Sequence, residues 1–184
     1  LAKHGEPMGY SGQLQDLIFQ TEELFSFGPS ESQDKDGNLN GYSLPLCMWN
    51  QEGATPSQKY FTDLLEYKIL EKAKEHLVSV RNSIKKADLE IRDLRNMYIF
   101  YRKKDDNGAR NMADAPVWYP KLISSKKKGY KILTRFYLLG AVDEEGKLIE
   151  LNPYNLMGQN GKAAACVKIE SIYIGTQISI QCKV

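Results

Sequence analysis

The stretch that begins YIFYRKK (Tyr98–Lys104) decides how this chain is read. It continues through the turn DDNG (105–108), VWYPKLI (117–123), SSKKKGYK (124–131) and ILTRFYLLG (132–140). Apolar residues recur there at every second position, the period of a strand with one face buried. Between Tyr130 and Leu139, Ile132, Thr134, Phe136 and Leu138 share one face, and Lys131, Arg135 and Tyr137 the other. Tyr98–Lys104 and Val117–Ile123 read as two further strands, parted by the turn.

Charge is concentrated in the same stretch. From Arg95 to Arg135 there are eleven Lys and Arg against three Asp, a local charge of +8 in a chain whose net charge is +2. Tyr98, Phe100, Tyr101, Trp118, Tyr119, Tyr130 and Phe136 lie among these cations. Cations follow a phosphate backbone and aromatic faces stack on unpaired bases, so the mixture suits a single-strand groove. The expected backbone contacts are Arg102, Lys103, Lys104, Lys121, Lys126, Lys127, Lys128, Lys131 and Arg135. The expected stacking residues are Trp118, Tyr130 and Tyr137, with Tyr98 and Phe100 as weaker candidates, while Tyr101, Tyr119 and Phe136 can equally be core.

On the N-terminal side lies the strongest helical pattern. Thr55-Pro56-Ser57 supplies a start, with Thr55 or Ser57 as cap. Phe61, Leu65, Ile69, Ala73, Leu77, Val80, Ile84 and Ala87 form one stripe, which predicts a helix over 57–87. The acidic residues between them, Glu66 included, belong on its solvated faces. Residues 1–41 read as a loosely structured segment, with 28–41 a loop by composition. Its DKDGN core fails as a calcium loop, because Leu39 stands where the turn needs Gly and Pro45 where the closing Glu belongs. Tyr42–Trp49 is a short strand interrupted by Pro45. Towards the C-terminus, Asp143–Gly146 is a hairpin turn leading to Lys147–Leu151, and CVKIESIYIGTQISIQCKV gives two strands parted near Gly175.

Enzyme signatures are missing: there is no Walker loop, HExxH, GxSxG or dinucleotide fingerprint, and neither histidine neighbours a candidate nucleophile. Lys128-Gly129-Tyr130 opens like an RNA-recognition strand, but Lys131, Ile132 and Leu133 break the match. Cys47, Cys166 and Cys182 lack disulfide or zinc spacing, which points to a reducing compartment without a bound metal or cofactor. No apolar run has membrane-spanning length, and no signal peptide opens the chain.

Several phrases resemble a known family: LPLC (Leu44–Cys47), WYPKLI (Trp118–Ile123), KILTRFY (Lys131–Tyr137) and, most specifically, KIESIYIGTQISIQCKV (Lys168–Val184). They are similar to the single-stranded DNA-binding proteins of nucleocytoplasmic large DNA viruses, the African swine fever virus type. The resemblance covers most of residues 42–184. It implies a mainly β (α+β) domain, an OB-fold-like barrel of five or six strands with the long helix outside it. It also implies non-catalytic, sequence-independent binding of single-stranded DNA, or of RNA, during viral genome replication or repair. The expected location is the virus factory of the host cytoplasm, or the nucleus, with the helix free for self-association or a replication protein. The rival expectation is a structural interaction protein whose helix and lysine loop meet acidic partners.

Overall fold

The computed structural model describes residues 16–175 and 177–184, with every side chain in them except that of Lys128. The architecture is mainly β with one interrupted helix. Before the helix come β1 (Leu17–Gln20), β2 (Leu24–Ser26), β3 (Ser30–Gln33), β4 (Leu39–Ser43) and β5 (Leu46–Cys47). After it come β6 (Phe100–Tyr101), β7 (Val117–Trp118), β8 (Ser124–Ser125), β9 (Lys131–Ile132), β10 (Phe136–Val142) and β11 (Leu148–Leu151). β12 (Gly161–Ala163), β13 (Cys166–Ile174) and β14 (Ile178–Lys183) complete the set. Residues 16–41 are therefore built into sheets, contrary to the expectation of a loose segment, and 28–41 form the β3–β4 hairpin. The polar composition misled there because a two-stranded hairpin exposes most of its side chains; Asp34 closes the turn by accepting the Asp36 and Asn38 N–H groups.

The core lies between a five-stranded sheet, ordered β12-β2-β5-β7-β6, and the helix. Ser26, Leu46, Trp118 and Phe100 are register partners in a row across that sheet. All four are buried. The helix runs as α1 (Pro56–Asp63), a π-helical stretch (Leu64–Leu70) and α2 (Glu71–Ser79). Thr55 caps it: Gln58 N–H donates to Thr55 Oγ1 (3.2 Å) and Thr55 N–H to Gln58 Oε1 (3.0 Å). Phe61 reaches down to Trp118, with ring centroids 6.0 Å apart. The helix stops at Ser79, short of the predicted residue 87, and Lys85 takes a φ of 57° in the turns beyond. Ile84 still packs on the core from those turns, which is why the apolar stripe outlasts the helix in sequence.

The π-helical stretch also corrects the expected place of Glu66. Its wider turn shifts the phase of the stripe, so that Leu65, Glu66 and Leu70 are all buried. Glu66 Oε2 accepts from Arg102 Nη2 (2.7 Å) and Oε1 from Arg110 Nη2 (3.1 Å). Arg102 also donates to the Asp114 carbonyl, and Arg110 to that of Phe100. This cluster ties the 102–116 loop to the helix.

A second sheet, β1-β13-β14, adjoins the first. Thr21 N–H donates to the Ala165 carbonyl at 2.9 Å where β1 runs on into β2. Beyond β7 the chain stays extended to Ile123. Lys121 N–H donates to Cys182 O (2.8 Å), and Val184 N–H to Lys121 O (2.9 Å). Two-stranded hairpins β3–β4, β8–β9 and β10–β11 surround these sheets, and each sheet of named strands is open. The expected continuous strand 130–139 is split, because Leu133 N–H donates to the Ile123 carbonyl and Thr134 Oγ1 accepts from Ile123 N–H.

Candidate nucleic-acid interface

The other face of the five-stranded sheet carries the candidate site. Register partners in neighbouring strands share a face, so Lys162, Phe25, Cys47, Val117 and Tyr101 form a row directly opposite the buried one. Side chains two residues further along add Phe27 beside Phe25, and Tyr119 beside Val117. Phe25, Phe27, Tyr101 and Tyr119 are between 42% and 47% exposed, a clustered aromatic surface rather than single exposed side chains. They stand as two edge-on pairs, Phe25–Phe27 with centroids 5.1 Å apart and Tyr101–Tyr119 at 6.1 Å. Partial desolvation pushes the Tyr119 phenol and the Cys47 thiol above their ordinary values.

Alternation is unbroken from Pro116 to Ile123. Pro116, Trp118, Pro120 and Leu122 are buried, whereas Tyr119, Lys121 and Ile123 are exposed. The same phase places Lys103 beyond Tyr101. Lys103, Lys121 and Lys162 thus border the aromatic face, and none makes an ion pair among the described residues. The strand then leads into the β8–β9 turn, where Lys126 and Lys127 are exposed in a single 3-10 turn closed by Gly129 at φ 64°. Tyr130 follows at φ 59°, a conformation that costs a bulky residue about 1–3 kcal/mol. Its ring lies 5.9 Å from Lys126 Nζ.

Three expected contacts are corrected. Trp118 is 1% exposed and packs edge-on against Phe100 at 5.6 Å, so it is core rather than a stacking platform. Burial beside it pushes the Cys182 thiol up to about 11, partly offset by a hydrogen bond from the Trp118 side chain. Arg102 is equally buried and its charge is taken by Glu66. Phe100, the weaker stacking candidate, is fully buried as well. Tyr98 is exposed, but Arg110 already covers its ring at 4.9 Å.

Arg135 and Tyr137 lie apart from the aromatic face, at the base of the β10–β11 hairpin. Arg135 donates to Glu150 through Nε (3.1 Å) and Nη2 (2.6 Å) and covers the Tyr137 ring at 5.3 Å. That pairing holds Glu150 below the usual carboxylate range. Lys131 is exposed at the cleft between the β8–β9 hairpin and this base, and Lys104 is exposed beside Lys103. The side chain of Lys128 lies outside the described residues. Lys121 follows Tyr119 in the same phase and leads on to Lys126, Lys127 and Tyr130 in the β8–β9 turn, with Lys103 beyond Tyr101, whereas Lys104 is exposed but out of that phase. The structure adds Phe25, Phe27 and Lys162, which lie outside the basic stretch, and turns outward Tyr101 and Tyr119, which the sequence leaves open as core.

Among the described residues no group of three His, Cys, Asp or Glu side chains is placed to hold a metal, and no helix is long and apolar enough to cross a membrane.

Comparison with known proteins places the chain among viral sequences. It is 32% identical over 169 residues to the "Early 31 kDa protein" of Frog virus 3 (isolate Goorha), covering 91% of this chain and 60% of that protein. It is 27% identical over 173 residues to "Uncharacterized protein 007R" of Invertebrate iridescent virus 3, covering 91% of this chain and 34% of that one. The chain therefore spans between a third and two thirds of the length of these relatives. No solved structure matches it significantly. The expected kinship with proteins of large DNA viruses holds at this level, while neither relative's name mentions DNA. Residues 8–184 match the family described as "Protein of unknown function (DUF2738)", and the chain belongs to that family.

Proposed function

We propose that this chain binds single-stranded DNA without sequence readout, along the outer face of the five-stranded sheet and on to the β8–β9 turn. One observation carries the reading: four half-exposed aromatic rings and three flanking lysines share one sheet face. Aromatic faces give about 1–3 kcal/mol per stacked base regardless of its identity, and lysines add a salt-dependent attraction to phosphates. From Tyr101, opposite Val117, to Lys126 the path follows about 30 Å of extended chain, within reach of several nucleotides. RNA offers the same chemistry and is the competitor to test. The role that follows is to protect or organise unpaired strands of a viral genome, with no catalytic step.

The OB-like architecture belongs to the same reading. A ring of strands is supported by five runs of chain: 17–26, 39–47, 117–122, 178–184 and 166–174. Pairing links each to the next, through β2–β5, β5–β7, the Lys121 hydrogen bonds to Cys182 and Val184, β14–β13 and β13–β1. A partly open barrel of this kind leaves a curved face for a strand.

Cys47 makes a direct test, because it stands in the middle of the aromatic face while Cys166 is exposed on the other sheet. Saturating oligothymidine should protect Cys47 from alkylation and leave Cys166 reactive. Affinity should fall with salt at a log–log slope of roughly −2 to −3.5, for about three to five phosphates. Unchanged Cys47 labelling at saturation would move the site elsewhere. Preference for duplex, or indifference to salt, would end the proposal. Retained binding to an acidic polypeptide alone would favour the interaction-protein alternative.

A further inference from the structure

The β10–β11 hairpin is not absorbed by the proposed DNA site. Among the described residues it pairs with no third strand, and its two strands fall out of step between Tyr137 and Val142, so that residues 138–141 bulge opposite Ile149. A bulge re-aims side chains, and here Leu138, Leu139 and Val142 are 45%, 66% and 57% exposed, with Leu148 on the partner strand at 58%. An isolated two-stranded ribbon with this much apolar surface is marginal in water unless something covers it. Its tip, Asp143-Glu144-Glu145, is acidic. Asp143 is occupied in closing the turn and Glu145 pairs with Lys147, while Glu144 makes no ion pair among the described residues.

A matching surface exists on the same chain. The β8–β9 hairpin exposes Ile123 (47%) and Leu133 (50%) beside each other, since Leu133 N–H donates to the Ile123 carbonyl. The exposed ammonium groups of Lys126 and Lys127 lie at its tip. Apolar flank and acidic tip on one hairpin thus complement apolar flank and basic tip on the other.

We propose that the β10–β11 arm of one copy docks on the β8–β9 hairpin of a second copy, acidic tip against lysine turn. The two surfaces differ, so the contact is heterologous and extends head to tail rather than closing a two-fold dimer. Lys126 and Lys127 serve both this contact and the proposed DNA path. The acidic tip therefore occupies the turn as a mimic of phosphate, and a bound strand displaces it.

Sedimentation equilibrium without nucleic acid tests the contact independently of the DNA reading. At low salt the mean mass should rise with concentration above the 20.9 kDa monomer and return to it at high salt. Leu139→Ser should raise the concentration needed for association by about tenfold. The double variant Glu144→Lys/Glu145→Lys should be monomeric, and so should Lys126→Glu/Lys127→Glu. Mixing these two variants should restore association, because the reversed tip then meets the reversed turn. A wild-type chain that stays monomeric at low salt overturns the proposal, and so does a mixture that fails to associate. Association that persists in the tip variant would mean arms pairing with arms, which also overturns it. If the mixture associates but oligothymidine leaves wild-type assemblies intact, the head-to-tail contact stands and the use of this turn for DNA falls.

Discussion

Neighbouring residues have opposite fates in this sheet. Trp118 and Tyr119 are adjacent, so the pleat can turn only one of them outward. Trp118→Ala should lower stability by about 3–5 kcal/mol in a urea melt and weaken binding only through unfolding. Tyr119→Ala should leave the melt unchanged and weaken oligothymidine binding by about 1–3 kcal/mol, read by fluorescence anisotropy. The sequence held enough to choose between them. Lys121 shares its phase with Tyr119, and Leu122 shares its phase with Trp118, so a solvated lysine and a core tryptophan were compatible only this way round. Arg102 escaped that logic because its burial depends on Glu66, thirty-six residues away, which no local pattern reveals. The Cys182 thiol gives a test in pH. Its pKa rises from 9.0 to about 11 on folding. Between those values the unfolded chain releases a proton that the folded chain keeps, so this thiol's contribution to stability is lost as pH rises through the window. Denaturation midpoints of wild type and Cys182→Ala should converge as pH rises from about 9 to 11.

At the scale of elements, the helix was legible in its start and its stripe, and illegible in its middle. Thr55, Pro56 and Ser57 announce the N-terminus, and Thr55 is the one that caps it. The π-helical stretch cannot be read from a 3.6-residue stripe, because it changes the period itself. Glu66→Ala should cost about 3–5 kcal/mol in a denaturant melt, since it leaves Arg102 buried without its partner. Cost near zero would mean that water reaches the arginine. β2 was missed for a related reason: the chain turns between Gln20 and Leu24, so Phe25 and Phe27 follow a phase that β1 does not set. The lysine turn was legible as a charge cluster, and its effect belongs to the turn as a whole. Replacing Lys126 and Lys127 together by Ala should flatten the salt slope by about 0.7 for each phosphate that is no longer neutralised. Arg135→Ala should change affinity less than Lys121→Ala, because Glu150 already neutralises Arg135.

For the molecule as a whole, apolar periodicity and charge pattern were enough to find a mainly β chain with one long helix and a basic, aromatic half. They did not distribute that half in space. The +8 segment divides between a buried ion cluster, a sheet border, a lysine turn and the base of an arm, and only the border and the turn lie on the proposed path. The buried cluster carries a consequence for descent. Glu66, Arg102 and Arg110 lie on a helix, a strand end and a loop, yet the one carboxylate serves both guanidinium groups. Any lineage that loses Glu66 first passes through an ancestor with Arg102 stranded in its interior. The three positions should therefore be inherited as a block, changing rarely and together, while the exposed lysines around them drift one at a time.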